Sequence, residues 1–182
     1  MPAENRPDTK NRLAPASPDA PADLSETIQV VEFLLGKEHY AIDLYDVKEV
    51  VDYTTITRLP DTPAYIKGIM DLRGEITTII DLKERLNVTA EKGSTGDDNR
   101  RIIVLDEKLT GVKMGIIVDD VLSVSTFYQT DVDRSSASIY NDDAAILGII
   151  RKKVRVRDKE VSDLIVWIGI SRILRDAGCI KA

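Results

Sequence analysis

Arg73 and Gly74 are the pair in this chain whose types and spacing point most directly at chemistry. They separate Ile66-Lys67-Gly68-Ile69-Met70-Asp71-Leu72 from the β-branched run Ile76-Thr77-Thr78-Ile79-Ile80. Glycine at 74 takes positive φ at no Cβ cost, so the stretch reads as two short strands joined by a tight turn with Arg73 at its lip. Ile69, Leu72, Ile76 and Ile79 are the expected apolar surface beneath the arginine. A planar guanidinium held there can grip a carboxylate or carbonyl of a partner through charge-assisted hydrogen bonds. The plainer reading gives Arg73 only a local ion pair with Asp71 or Glu75.

The other chemistry-bearing residues assemble less. His39 and Cys179 are the only histidine and cysteine, which is too few for a zinc site, and a nucleophile–base pair would need the fold to join them. Asp119-Asp120 and Asp142-Asp143 are adjacent carboxylates outside any EF-hand loop; neighbours on a strand point to opposite faces, so turns or solvated charge fit better than a metal site. Gly93 and Gly96 lack the Lys-Ser/Thr of a phosphate-binding loop. The run Arg151-Lys152-Lys153-Val154-Arg155-Val156-Arg157 alternates cations with valine, fits an exposed edge protected by charge, and carries no interleaved aromatics for nucleic acid.

Composition bounds the class. The chain has 182 residues, 43% hydrophobic and 31% charged, with a formal net charge of −6. That balance supports a folded, Ile- and Val-rich β protein and argues against general affinity for nucleic acid or anionic membranes. A lone cysteine fits a reducing compartment. No stretch approaches the roughly 18 apolar residues of a membrane helix. Residues 1–26, with prolines at 2, 7, 15, 18 and 21, read as a disordered leader.

The elements that must position Arg73 repeat along the chain. Tyr40 to Val50 lies position for position over Met114 to Val124, Ile66-Lys67-Gly68-Ile69-Met70 over Ile146-Leu147-Gly148-Ile149-Ile150, and Ile79 to Leu86 over Trp167 to Leu174. Leu44 to Val51 reads as a corner between strands, Ile56 to Leu59 as a short strand, Asp81 as the cap of a helical turn, and Ser125 to Ala145 as an irregular excursion. Two copies of about 70 residues, each marginal alone, predict two small β-barrels that share buried surface.

The segments Tyr40 to Val50, Leu59-Pro60 with Pro63 to Leu82, and Gly115 to Val121 together resemble the CheW family of chemotaxis coupling proteins, over about residues 28 to 176. The resemblance implies a mainly β fold of two intertwined five-stranded SH3-like barrels with short helical turns. The domain would span 27–178, with a first barrel at about 27–90 and a second at about 100–178. It implies a cytoplasmic, non-enzymatic adaptor with no cofactor and no metal. The implied partners are the histidine kinase CheA, through its CheW-like regulatory domain, and the helical cytoplasmic tip of chemoreceptors, which alone would bring it to the membrane. The receptor-binding positions carried over are Val47, Glu49, Val50, Gly68 and Arg73, with Val47 and Val50 as an apolar patch. Two residues depart from the family pattern: Asp71 stands where asparagine is expected and is positioned to hold Arg73, and Gly169 stands where the repeat partner Asp81 predicts an acidic cap. The alternative from another class is a small-barrel nucleic-acid-binding protein using the basic hairpin 151–157.

Overall fold

The computed structural model describes residues 27–88, 99–135, 145–156, 159–176 and 179. The leader at 1–26, the glycine-bearing stretch 89–98, Asp142-Asp143 and Arg157 lie outside them. Strands β1 (Thr27–Leu35) and β2 (Glu38–Asp43) form a hairpin. A 3-10 turn at Leu44–Asp46 then leads into β3 (Val47–Asp52), with Asp43 Oδ1 accepting from the Tyr45 N–H at 2.9 Å. After β4 (Ile66–Leu72) and β5 (Glu75–Asp81), Asp81 caps α1 (Leu82–Leu86) by accepting from the Lys83 and Glu84 N–H groups. The second half runs β6 (Arg101–Leu105), α2 (Glu107–Thr110), β7 (Met114–Val118), β8 (Asp120–Tyr128), β9 (Val132–Asp133), β10 (Ile146–Val156), β11 (Lys159–Ile168) and α3 (Ile170–Asp176). The excursion expected from Ser125 is thus strand as far as Tyr128, and the strand expected at Ile56 to Leu59 is a single bridge, Thr57 to Ile69.

The strands form two sheets, ordered β8-β1-β2-β11-β10-β9 and β3-β6-β7-β5-β4. Each sheet takes strands from both halves of the chain, because β2 in the first sheet leads into β3 in the second, while β7 in the second leads into β8 in the first. The orders superpose: β8 corresponds to β3, β1 to β6, β2 to β7, β11 to β5 and β10 to β4. Each sheet has one parallel pairing, β11 with β2 and β5 with β7, as the repeat requires. The mainly β architecture in two sheets is as expected; among the described residues the sheets hold six and five strands, and each draws strands from both sides of residue 90.

Side chains alternate across a strand, so strands at the junction face two interiors at once. Ile103 and Leu105 of β6 join Phe33, Ile42 and Ile116 in a central cluster between the sheets, while Ile102 and Val104 join Met70, Ile79 and Ile117 inside the second sheet. Val30, Phe127, Ile165 and Trp167 fill the first sheet in the same way. Burial on both faces explains why Ile102-Ile103-Val104-Leu105 is unbroken apolar sequence rather than an alternating one. Each such side chain contributes roughly 2 kcal/mol by leaving water, and those in the central cluster contribute only when both sheets are present.

One carboxylate fastens the junction. Asp119, 3% exposed, follows β7 and precedes β8. Its Oδ2 accepts from the Gly36 N–H at 2.6 Å and its Oδ1 from Lys83 Nζ at 2.6 Å, while its own N–H donates to the Leu34 carbonyl at 3.0 Å. It therefore ties the β1–β2 turn of the first sheet to α1, which follows the second. Removing one partner of a buried ion pair leaves the other uncompensated, so Asp119→Ala should lower unfolding free energy by about 3 kcal/mol. Urea denaturation would read the loss, and a midpoint unchanged from wild type would contradict this role.

Candidate functional site

The hairpin tip is built from two successive left-handed residues. Arg73 has φ 56 and Gly74 φ 84 between the facing residues Leu72 and Glu75, as a two-residue type I′ turn requires. Glycine tolerates this, whereas arginine there costs on the order of 1 kcal/mol. Two contacts offset the cost. Asp71 Oδ1 accepts from the Gly74 N–H at 2.6 Å, and Arg73 donates to Glu49, with Nη2 2.9 Å from Oε2 and Nη1 3.4 Å from Oε1. Asp71 thus stabilises the turn instead of holding Arg73, and the local pairing of Arg73 with Asp71 or Glu75 is replaced by one with Glu49, 24 positions earlier.

The Arg73–Glu49 pair also reports the shape of the second sheet. β3 and β4 are its opposite edges, so a bidentate contact between β3 and the β4–β5 tip requires the sheet to curl until its edges approach. The segment after β3 completes the curl: Thr57 N–H donates to the Ile69 carbonyl and Ile69 N–H to the Thr57 carbonyl, both at 2.8 Å. Gly68 makes this approach possible. Its φ is 140, and a Cβ there would lie 2.0 Å from the Thr57 carbonyl oxygen. Gly68 is itself buried, and the close backbone approach it permits here is that of the chain's own Thr57. Gly148, its repeat counterpart, is crowded less severely, a Cβ there lying 2.8 Å from the Val132 side chain and 3.2 Å from the Asp133 carbonyl oxygen.

Val47 and Val50 do not form one exposed patch. Val50 is 41% exposed, whereas Val47 packs against the central cluster across a bulge in β3. Ile76, expected beneath the arginine, is 62% exposed beside Glu75 and supplies outward apolar surface on the same hairpin. The structure therefore joins Arg73 and Glu49 directly, leaves Val50 outward, and assigns Val47 and Gly68 to packing.

Four more charged residues, of which the sequence singled out only Glu75, complete the site. Lys113 pairs with Glu75 and, at 3.7 Å, with Glu107, which lies 3.6 Å from Lys48. The hydrogen bond from Lys113 holds the Glu75 carboxyl below its usual range. Together with Arg73 and Glu49 these residues rim a cleft of about 100 Å³ floored by Leu72, Thr77, Val104 and Leu105. No spacing in the sequence connects Lys48, Glu75, Glu107 and Lys113; pairing of β5 with β7 and of β3 with β6 brings them together.

At the corner before Val47, burial, and then the neighbouring carboxylates Asp43 and Asp106, push the Asp46 carboxyl up to about 6. The remaining candidates disperse. His39 Nδ1 lies 2.7 Å from the Asp163 carboxylate, off the alignment of a hydrogen bond. Cys179 packs against the central cluster, and burial pushes its thiol up; the two residues make no pair. Asp119 is committed to Lys83 and Gly36, and among the described residues no three His, Cys, Asp or Glu side chains are grouped to hold a metal. The basic run is threaded with carboxylates: Arg151 meets Asp133 at 2.9 Å, Lys152 meets Glu32 at 2.8 Å and Lys153 meets Glu160 at 3.5 Å. That pairing weakens the nucleic-acid reading, since each carboxylate repels phosphate. Among the described residues no helix is long and apolar enough to cross a membrane.

Against known proteins, residues 29–177 match the family model of the CheW-like domain. The chain is 34% identical over 128 residues to "Chemotaxis protein CheW" of Treponema pallidum (strain Nichols), covering 70% of this chain and 75% of that protein. It is 28% identical over 134 residues to "Chemotaxis protein CheW" of Helicobacter pylori (strain ATCC 700392 / 26695), covering 74% and 78%. The crystal structure of the scaffolding protein TtCheW from Thermoanaerobacter tengcongensis superposes with TM-score 0.61 at 33% identity, over 78% of this chain and 88% of that one.

Two outcomes follow from this geometry. Gly68→Ala should destabilise by about 3 kcal/mol, because a Cβ meets backbone and not a movable side chain; thermal melting reads it, and a melt within a degree or two of wild type would refute it. The Asp46 carboxyl, raised from 3.8 to about 6, holds its proton to higher pH when folded than when unfolded, so stability falls as pH rises between those values. Asp46→Asn removes the penalty and should stabilise by about 1 kcal/mol at pH above 7, after discounting for solvent screening. The gain should vanish near pH 4, and denaturant titrations at the two pH values measure it.

Proposed function

As the chain belongs to the CheW-like family of chemotaxis scaffold proteins, we propose that it is a non-enzymatic adaptor coupling the cytoplasmic tip of chemoreceptors to the histidine kinase CheA. The observation that carries this reading is the Arg73–Glu49 pair. The arginine side chain is 76% exposed yet oriented by a carboxylate that is only 24% exposed. A surface cation fixed in this way presents its remaining donors to a partner at a lower entropic cost than a free one. Receptor tips are helical hairpins, and a helix offers carboxylates and C-terminal carbonyls that a guanidinium fork can bind. Val50 and Ile76 supply apolar contact beside it. Glu49, as the orienting group, belongs to the receptor site with Arg73 and Val50, while Val47 and Gly68 support it from within.

Coupling two partners reversibly asks for docking surfaces and not for a reactive centre. The charged rim of the cleft is internally neutralised, three cations by three carboxylates, which suits recognition by geometry. CheA contact is assigned to its CheW-like regulatory domain, since a related fold offers matching sheet surfaces. Location in the cytoplasm, at receptor arrays, accompanies the same reading.

The test is binding of the purified protein to its cell's receptor cytoplasmic fragment and to CheA, comparing wild type with Arg73→Glu after both are shown to fold. Wild type should bind both partners, and the variant should lose about 2 kcal/mol of receptor affinity, roughly thirtyfold, while keeping CheA. Wild type binding neither partner would end the adaptor reading; equal receptor affinity of the two proteins would end the assignment of the site to Arg73.

A further inference from the structure

The repeat equates Ile149 with Ile69, so Lys153 on β10 occupies in the first sheet the position that Arg73 occupies in the second. The two hairpins differ in length. β4 and β5 close at Leu72 opposite Glu75, whereas the equivalent facing residues Lys152 and Asp163 are followed by four further pairs, from Lys153 with Ser162 to Val156 with Lys159. The first sheet therefore carries a two-stranded ribbon with no counterpart in the second. On its outer side β9 covers only Ile149 and Ile150, and from Arg151 to Val156 the far edge of β10 has no strand partner among the described residues.

The side chains on this edge are ordered. Arg151, Lys153 and Arg155 share one face of β10 and all three are exposed, whereas Lys152 and Val154 on the other face are half-buried. Alternate residues on a strand repeat at about 6.8 Å, so the cations form a straight row at the spacing of alternate side chains in a second strand. Two carboxylates already rest on the row, Asp133 on Arg151 and Glu160 on Lys153; both come from extended backbone. We propose that this edge is a docking site for an extended acidic segment of a partner protein, added as a strand against β10 with its carboxylates over Arg151, Lys153 and Arg155. This goes beyond the receptor and kinase reading and does not depend on it.

Edge cations are a common defence against self-pairing, and here the same charge selects. A second copy of this edge would bring like charges face to face and be repelled, while an alternating acidic strand gains both main-chain hydrogen bonds and charge pairs. Nucleic acid fits less well. Asp133, Glu160 and Asp163 stand among the cations on the ribbon and its neighbour, no aromatic side chain interleaves them, and the whole chain is acidic at −6.

The experiment uses the full chain and a fluorescein-labelled short peptide alternating glutamate with threonine, read by fluorescence anisotropy at low ionic strength. The peptide should bind. Lys153→Gln with Arg155→Gln, both at exposed positions, should weaken it by about tenfold or more. Glu160→Gln, which frees Lys153 from its internal carboxylate, should tighten it two- to threefold, by the same release of a competing charge. A peptide of equal charge with prolines at the threonine positions should lose most of its affinity, because proline cannot pair as a strand. No binding of the peptide, equal binding of the proline peptide, no effect of the double substitution, or tighter binding of a single-stranded oligonucleotide of equal charge would each overturn the proposal.

Discussion

The constraint on which the molecule depends is that its chain changes sheet twice. It leaves the first sheet at Leu44–Asp46 and returns at Asp119, so neither sheet can be completed without strands from the other half. The sharing dictates the core. Strands β6 and β7 bury both faces, one toward their own sheet and one toward the central cluster. It also explains why a buried carboxylate is tolerated at the second crossing. Asp119 accepts from a backbone N–H and from Lys83, so its charge is satisfied by groups that meet only when both sheets are in place, and an assembly missing either partner leaves it buried and unpaired.

The repeat was legible because it is written in residues with distinct backbone needs. Gly68 and Gly148 both mark a bulge where a neighbouring backbone crosses, and Asp81 and Gly169 both stand where a short helix begins. The departure at Gly169 also has a local reason: a Cβ there would come within 3.2 Å of the Leu147 side chain, and glycine at a helix start gives up only a few tenths of a kcal/mol relative to a side-chain cap. What the sequence does not carry is which strand of one half pairs with which strand of the other, since the apolar runs of β1, β6 and β7 are interchangeable by composition. Alternation marks a strand's faces but not its neighbours.

The site shows the same division. Arg73 was recognisable from the turn that holds it, because two-residue turns have strict φ demands and few residues meet them. Its partner was not. Asp71 and Glu75 are close in sequence but spent elsewhere, one on the Gly74 N–H and one on Lys113, while Glu49 is reached only through the curl of the second sheet. Ion pairs between strands far apart in sequence leave no spacing to read. Val47 and Val50 looked like one patch because residues three apart share a face in a helical turn; the segment is instead strand β3, where Val47 packs against the central cluster and Val50 stands outward.

A difference between the two sheets argues for how the pairings are kept distinct. Through the repeat, Glu32 of the first sheet corresponds to Val104 of the second, and Lys152 to Leu72. Val104 and Leu72 pack in the apolar cluster of their sheet, whereas Glu32, 1% exposed, is bridged by Lys152 Nζ at 2.9 and 2.8 Å. Burial alone would raise the Glu32 carboxyl; hydrogen bonds from Lys152, Ser125 and Ser123 outweigh it and leave the group lowered. Replacing such a pair with apolar residues of the same size is often neutral or stabilising, so stability alone does not account for it; a role in specificity would. With equivalent strands and near-equal apolar patterns, exchange between the sheets would cost little if both interiors were hydrocarbon. Setting Glu32 against Leu72 would instead leave a buried carboxylate unpaired, at a cost of several kcal/mol, with the half-buried Lys152 beside Val104. A single polar contact in one sheet therefore separates two pairings that hydrophobic burial alone would leave nearly degenerate.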